Sequence, residues 1–152
     1  MQSIRIDSAL ICDMMRREDT GKDILIGIYT GSINLQSLPA KLSLTFWLVT
    51  EALSEGKTEF VMRFRGPHEL IVVQTPPIPI SIEPDSPLLS GSITIVSDVT
   101  LQIAGDYFVE ILYTGGSGQW EVIKKAAVTT WSEQTPGPKG EKGPTLQRPP
   151  LL

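Results

Sequence analysis

Leu101-Gln102-Ile103-Ala104-Gly105-Asp106-Tyr107-Phe108-Val109 is the stretch that decides the fold. Leu101 and Ile103 share one face of a strand, and Tyr107 and Val109 share one face of the next. Gly105 lies in the turn between them, where a residue without Cβ enters positive φ at no steric cost. A tyrosine opening a strand after such a turn has its hydroxyl within reach of the backbone just left behind. The same residues also fit a plainer arrangement, in which a strand simply starts with tyrosine.

Working outward, the same period of two recurs. Ile24, Ile26 and Ile28 alternate with Leu25, Gly27 and Tyr29, and Leu42, Leu44, Phe46 and Leu48 line one side of another run. Phe60, Met62 and Phe64 alternate with Val61, Arg63 and Arg65, which places the arginines toward water. Tyr107–Tyr113 and Trp120–Val128 complete the set. The expected core unites Phe46, Leu48, Phe60, Met62 and Phe64, with Ile24, Ile26 and Ile28 facing them. No long window carries a 3.6-residue apolar stripe, so nothing beyond a short helical turn, near Glu51–Glu55, is expected. Gly21, Gly56 and the Gly115-Gly116-Ser117-Gly118 segment punctuate hairpins. Prolines 76, 77, 79, 84 and 87 confine their stretch to an edge or a crossover. Short strands at about ten-residue spacing, joined by one proline-rich crossover, imply an all-β fold. The Gly105–Tyr107 turn resembles the tyrosine corner of immunoglobulin-like domains. The expectation is a single immunoglobulin-like antiparallel β-sandwich of seven to nine strands.

The chain divides by composition. Residues 1–131 hold the β-branched and aromatic residues and form the expected β-sandwich domain. Residues 132–152, SEQTPGPKGEKGPTLQRPPLL, hold five prolines and three glycines, a tail too poor in apolar surface to offset its ordering entropy. Gly137-Pro138-Lys139, Gly140-Glu141-Lys142 and Gly143-Pro144-Thr145 repeat the collagen triplet, but so few triplets read as a disordered linker rather than the stub of a trimerising stalk.

Charge and composition bound the function. Across 152 residues, 13 Lys and Arg stand against 17 Asp and Glu, for a net charge of -4 and a mean hydropathy of +0.05. Net acidity and scattered basic residues argue against nucleic acid as a partner. No signal sequence or membrane-spanning run is visible, and one free cysteine suits a reducing, cytoplasmic setting. A single cysteine and a single histidine rule out an intrachain disulfide and a zinc site built mainly from Cys and His.

The remaining candidates for chemistry are sparse. His68, in Gly66-Pro67-His68-Glu69, reads as an exposed loop residue rather than a base oriented by Glu69. Cys12, inside an apolar strand beside Asp13, reads as a packing residue rather than a nucleophile, which needs a positive environment. Glu18, Asp19 and Asp23 around Gly21 form a solvated hairpin tip that lacks calcium-loop spacing. The glycines at 115–118 are not followed by the Lys-Ser/Thr of a phosphate loop. Two functions follow: a non-catalytic binding, interaction or structural module, or a carboxylate-dependent hydrolase such as a carbohydrate-active enzyme, for which fifteen body acids offer pairs but no selection. No catalytic, cofactor or metal residue is assigned. Trp47 and Val49, apolar on the second face of their strand, are the expected interaction surface, and a protein is the expected partner.

The run Ala9-Leu10-x-Cys12-Asp13-x-x-Arg16-x-Glu18-x-x-Gly21-Lys22-x-x-Leu25-x-Gly27-x-Tyr29 resembles a bacterial family known only as a domain of unknown function. Leu38-Pro39-Ala40 and Gly105-x-Tyr107 fit the same likeness, which spans roughly residues 8 to 130. The resemblance implies a single β-sandwich of bacterial or phage origin. It carries no activity, cofactor or site residue with it.

Overall fold

The structure, a computed structural model, describes residues 2–131. The tail of residues 132–152, with its three collagen-like triplets, lies outside the described residues.

Among the described residues ten strands, one more than the expected seven to nine, form two sheets. The first has four strands in the order β2 (Asp23–Tyr29), β1 (Ile4–Arg17), β4 (Ala40–Ala52) and β8 (Ser90–Leu101). In the second, β3 (Ser32–Leu35), β10 (Glu121–Thr130), β9 (Gly105–Tyr113) and β5 (Gly56–Arg65) are neighbours in that order. The outer side of β5 is shared by β6 (Ile71–Gln74) at one end and β7 (Ile78–Ile82) at the other. The two sheets make the β-sandwich that the alternation implies. Among the described residues the one helical segment is a 3-10 turn at Pro67–Glu69, not at 51–55.

One pairing departs from the antiparallel expectation: β3 runs parallel to β10, with Ile33 beside Val128. Four residues hold too little pattern to reveal direction in the sequence. Pro79 sits in β7, at the sheet edge, where its missing N–H costs no ladder bond.

The core lies between the inner faces. Phe46 of the first sheet meets Phe64 of the second edge-on at 5.2 Å, and Phe64 meets Tyr107 at 5.4 Å. Phe60, Met62, Leu48, Val109 and Ile111 are fully buried around them. The Tyr107 hydroxyl donates to the Ile103 carbonyl at 2.8 Å, so the tyrosine corner is present. Two glycines make room for it. A Cβ at Gly66 would lie 2.6 Å from the Tyr107 ring, and one at Gly105 (φ +140°) would lie 2.7 Å from the Pro67 ring. A polar tie crosses the core as well, because the backbone N–H of Ile6 donates to the Tyr113 hydroxyl at 2.7 Å where β1 shifts register.

Ile24, Ile26 and Ile28 do not face this core. They are 42%, 41% and 44% exposed. The cause is the path of the β1–β2 hairpin. Cys12 is opposite Thr45 in the β1–β4 ladder, so a straight β1 would bring Arg17 opposite position 40. Instead Arg17 and Asp23 reach Ser92, which pairs with Val49. Positions 40 and 49 are about 30 Å apart along a strand at ~3.3 Å per residue. The distal hairpin has therefore left the sheet and folded diagonally across its outer face. Thr45 and Cys12, on that outer face, are consequently buried, and the Thr45 hydroxyl donates to the Asp13 carbonyl at 3.4 Å. The bend falls at Gly27 (φ +69°), where any Cβ would come within 2.1 Å of the Asp13 carboxylate. With the first sheet beneath the arm and no layer above it, the isoleucines face outward.

Candidate functional site

Asp23 pins the arm. Its carboxylate accepts from Arg17 Nε (2.9 Å), Ser92 Oγ (2.5 Å) and Trp47 Nε1 (2.9 Å). These bonds hold its pKa well below the usual carboxylate range, the Arg17 bond foremost and then those from Ser92 and Trp47. Trp47 and Val49 thus lie, half-buried, on the outer face crossed by the arm, and the Trp47 indole N–H is engaged within the chain. On the arm, Asp23 turns to the sheet while Ile24 and Ile26 turn away, with Met14 directly beside Ile26. Met14 is 48% exposed. Ile28, at the bend, extends the apolar row. Arg16, Lys22, Glu18 and Asp19 are exposed around its far end. The period of two identified both faces of β2 but not which one is covered; Gly27 in mid-strand is the signal that a bend intervenes.

The opposite side of the sandwich holds a charged cluster that alternation alone places in water. Arg63 and Arg65 of β5 converge on Glu110 of β9, which is 3% exposed. Arg63 donates through Nε at 2.5 Å, and Arg65 donates through Nε at 3.1 Å and through Nη2 at 2.8 Å. The Arg63 guanidinium lies 3.9 Å from the Trp120 ring centre, and that of Arg65 lies 5.0 Å from the Phe108 ring centre. Burial pushes the Glu110 pKa up, but the bonds from Arg65 and Arg63 outweigh burial and hold it below the usual range. A general acid needs the opposite shift, which the two arginines do not provide at Glu110. In sequence it is 47 positions from Arg63, a separation that only the β5–β9 register closes.

The other candidates resolve one by one. His68 is exposed in the 3-10 turn at φ +57°, and Glu69 reaches Arg65 Nη1 at 3.4 Å. Cys12 is buried, and its thiol pKa is raised by burial first and by Asp13 second. In the acidic hairpin Glu18 accepts from Thr20 while Asp23 is committed to the sheet, so the three carboxylates do not converge. Among the described residues no group of three or more His, Cys, Asp or Glu side chains is placed to hold a metal. Gly115 (φ +80°) and Gly118 (φ +73°) shape the turn before β10. Open grooves bring together Glu18 with Asp19 and Glu55 with Glu83, but Arg16, Arg17 and Lys57 share the rims. Among the described residues no helix is long and apolar enough to cross a membrane.

No protein-family model and no curated protein matches this chain.

Proposed function

We propose that this chain is a non-catalytic interaction module that docks onto another protein through the outward side of the β1–β2 arm. The observation that carries this reading is the row of Met14, Ile24, Ile26 and Ile28, held 41–48% exposed on a hairpin pinned to the sheet by the bonds that Trp47 and Ser92 donate to Asp23. An apolar centre bordered by charges of both signs (Arg16 and Lys22, Glu18 and Asp19) matches the anatomy of a protein interface. A membrane or nucleic-acid surface calls instead for a uniformly basic rim. The bacterial or phage origin and the cytoplasmic location implied by the sequence belong to the same proposal, as does the likeness to the domain family of unknown function.

The test compares partner capture by the wild-type domain and by Ile26→Lys, whose side chain stands in solvent. Supporting results are a partner held by the wild type and lost by the variant at equal thermal stability, together with new amide protection confined to Asp23–Tyr29 in the purified complex. Equal capture by both proteins would remove the arm as the docking surface.

A further inference from the structure

The Arg63–Glu110–Arg65 cluster lies on the outer face of the second sheet. Leaving Glu69 aside, one carboxylate faces two guanidinium groups, a local charge of +1 that Glu69 offsets at Arg65. Arg63 and Arg65 are only 19% and 18% exposed, and Trp120 and Phe108 stack against their planes. What stays accessible is therefore their donor edges. Arg63 engages Glu110 through Nε, which leaves its two terminal nitrogens outside that bond. No buried side-chain nitrogen or oxygen among the described residues lacks a partner, and the Arg63 side chain keeps part of its surface open to solvent. Arg65 offers Nη1, which Glu69 meets at 3.4 Å through a carboxylate 82% exposed. Glu69 comes from a turn in which it and His68 both take positive φ, near +58° and +57°. A strained turn thus places a loosely held carboxylate on a planar donor site, as a stand-in would sit.

We infer that Arg63 and Arg65 form a binding site for a carboxylate of an acidic protein segment, with Glu69 as the displaceable internal occupant and Trp120 and Phe108 as its walls. The inference rests on the reading of the chain as a protein-interaction module but uses a different surface from the arm. Half-buried arginine and tryptophan at the centre of a surface are the residue types that carry most binding energy in interfaces. The planar fork of arginine matches carboxylate geometry, and a single net positive charge suits a short acidic segment better than a polyphosphate.

The experiment uses the full chain, isotope-labelled, at low salt, and titrates an acetylated, amidated hexaglutamate peptide while recording the Trp120 indole and the Arg63 and Arg65 Nε–H signals. Saturable shifts at these three groups, absent with hexalysine, are expected. Glu69→Gln removes the competing carboxylate from an exposed position and should tighten binding by about threefold, within the range of an exposed ion pair. Absence of shifts up to ~10 mM peptide, the limit of weak association, would overturn the site. Equal affinity in wild type and Glu69→Gln would overturn the role of Glu69. Displacement of the peptide by equimolar inorganic phosphate would show a site that reads anionic charge alone and overturn the acidic segment as occupant. None of these readouts involves Ile26, so failure here is separable from failure of the arm.

Discussion

Trp47 Nε1 donates to Asp23 Oδ2 at 2.9 Å, joining the middle of β4 to the start of β2 across the outer face of the sheet. The bond exists because the hairpin bends back over the sheet at Gly27. It also ties the arm that carries the outward apolar row to the sheet, since Ser92 of β8 holds the same carboxylate.

Replacing Asp23 with Asn leaves the shape of the side chain but removes the charge that Arg17 and Trp47 address. The expected outcome is faster amide exchange in residues 13–27, a small drop in melting temperature, and no change in exchange of β5 or β9. Uniform loss of protection across the sandwich would mean that the arm is not a separable unit.

The same latch has a pH dependence of defined sign. The Asp23 pKa is depressed in the folded state relative to an open arm, where it returns to about 3.9. Its contribution is therefore fully present above that value and declines as pH falls below it toward the folded pKa. Arm protection should hold steady from neutral pH to about pH 4.5 and fall at lower pH. In Asp23→Asn this acid dependence should disappear. A loss of protection centred near pH 6 in the wild type would assign the latch to another group.

The hydroxyl of Tyr107 bonds the Ile103 carbonyl inside the corner. Tyr107→Phe keeps the ring against Phe64 and Gly66 and deletes one hydrogen bond, a loss of about 1 kcal/mol. Urea unfolding measures it, and an unchanged midpoint would show that the bond contributes nothing.

Phe64 touches Phe46 of the other sheet and Tyr107 of its own, with no exposure. Phe64→Ala opens a cavity at this junction and should cost about 3–5 kcal/mol. Wild-type urea resistance in this variant would contradict the inward face of β5.

Alternation made the inward faces of β4, β5 and β9 readable, because each of these strands is covered on one side by the opposite sheet. It failed for β2, since a period of two separates Ile24 from Leu25 without saying what lies above either. The bend depends on Gly27 meeting Asp13, a contact between strands that no local pattern contains. The parallel β3–β10 pair was hidden for a related reason: Ser32–Leu35 is too short to carry a direction. At the charged cluster, alternation placed Arg63 and Arg65 correctly on the outer face. It could not supply Trp120 and Phe108 as their cover, nor Glu110 as their shared acceptor, because pairing between β5 and β9 is what assembles them.

Glu110 offers the sharpest test of that assembly. Its carboxylate is nearly inaccessible, and two guanidinium groups have been drawn out of water to meet it. Glu110→Gln preserves volume but leaves Arg63 and Arg65 confronting each other beneath Trp120 and Phe108. Breaking a buried ion pair at one partner commonly costs more than the pair contributes, because the surviving charge stays desolvated. The arginines here retain some contact with solvent, which screens part of that penalty, so the expected loss is about 2–4 kcal/mol. The companion change Glu110→Gln with Arg63→Gln removes one of the two facing charges and should recover part of the loss. The sign of the pH effect is fixed as well. A depressed folded pKa contributes stability above the unfolded value of about 4.3, and this is lost as pH falls through the folded value. Urea midpoints of wild type and Glu110→Gln should thus converge as pH drops below about 4. A constant gap between the two proteins down to the acid limit would mean that the charge of Glu110 is not what holds the two arginines in place.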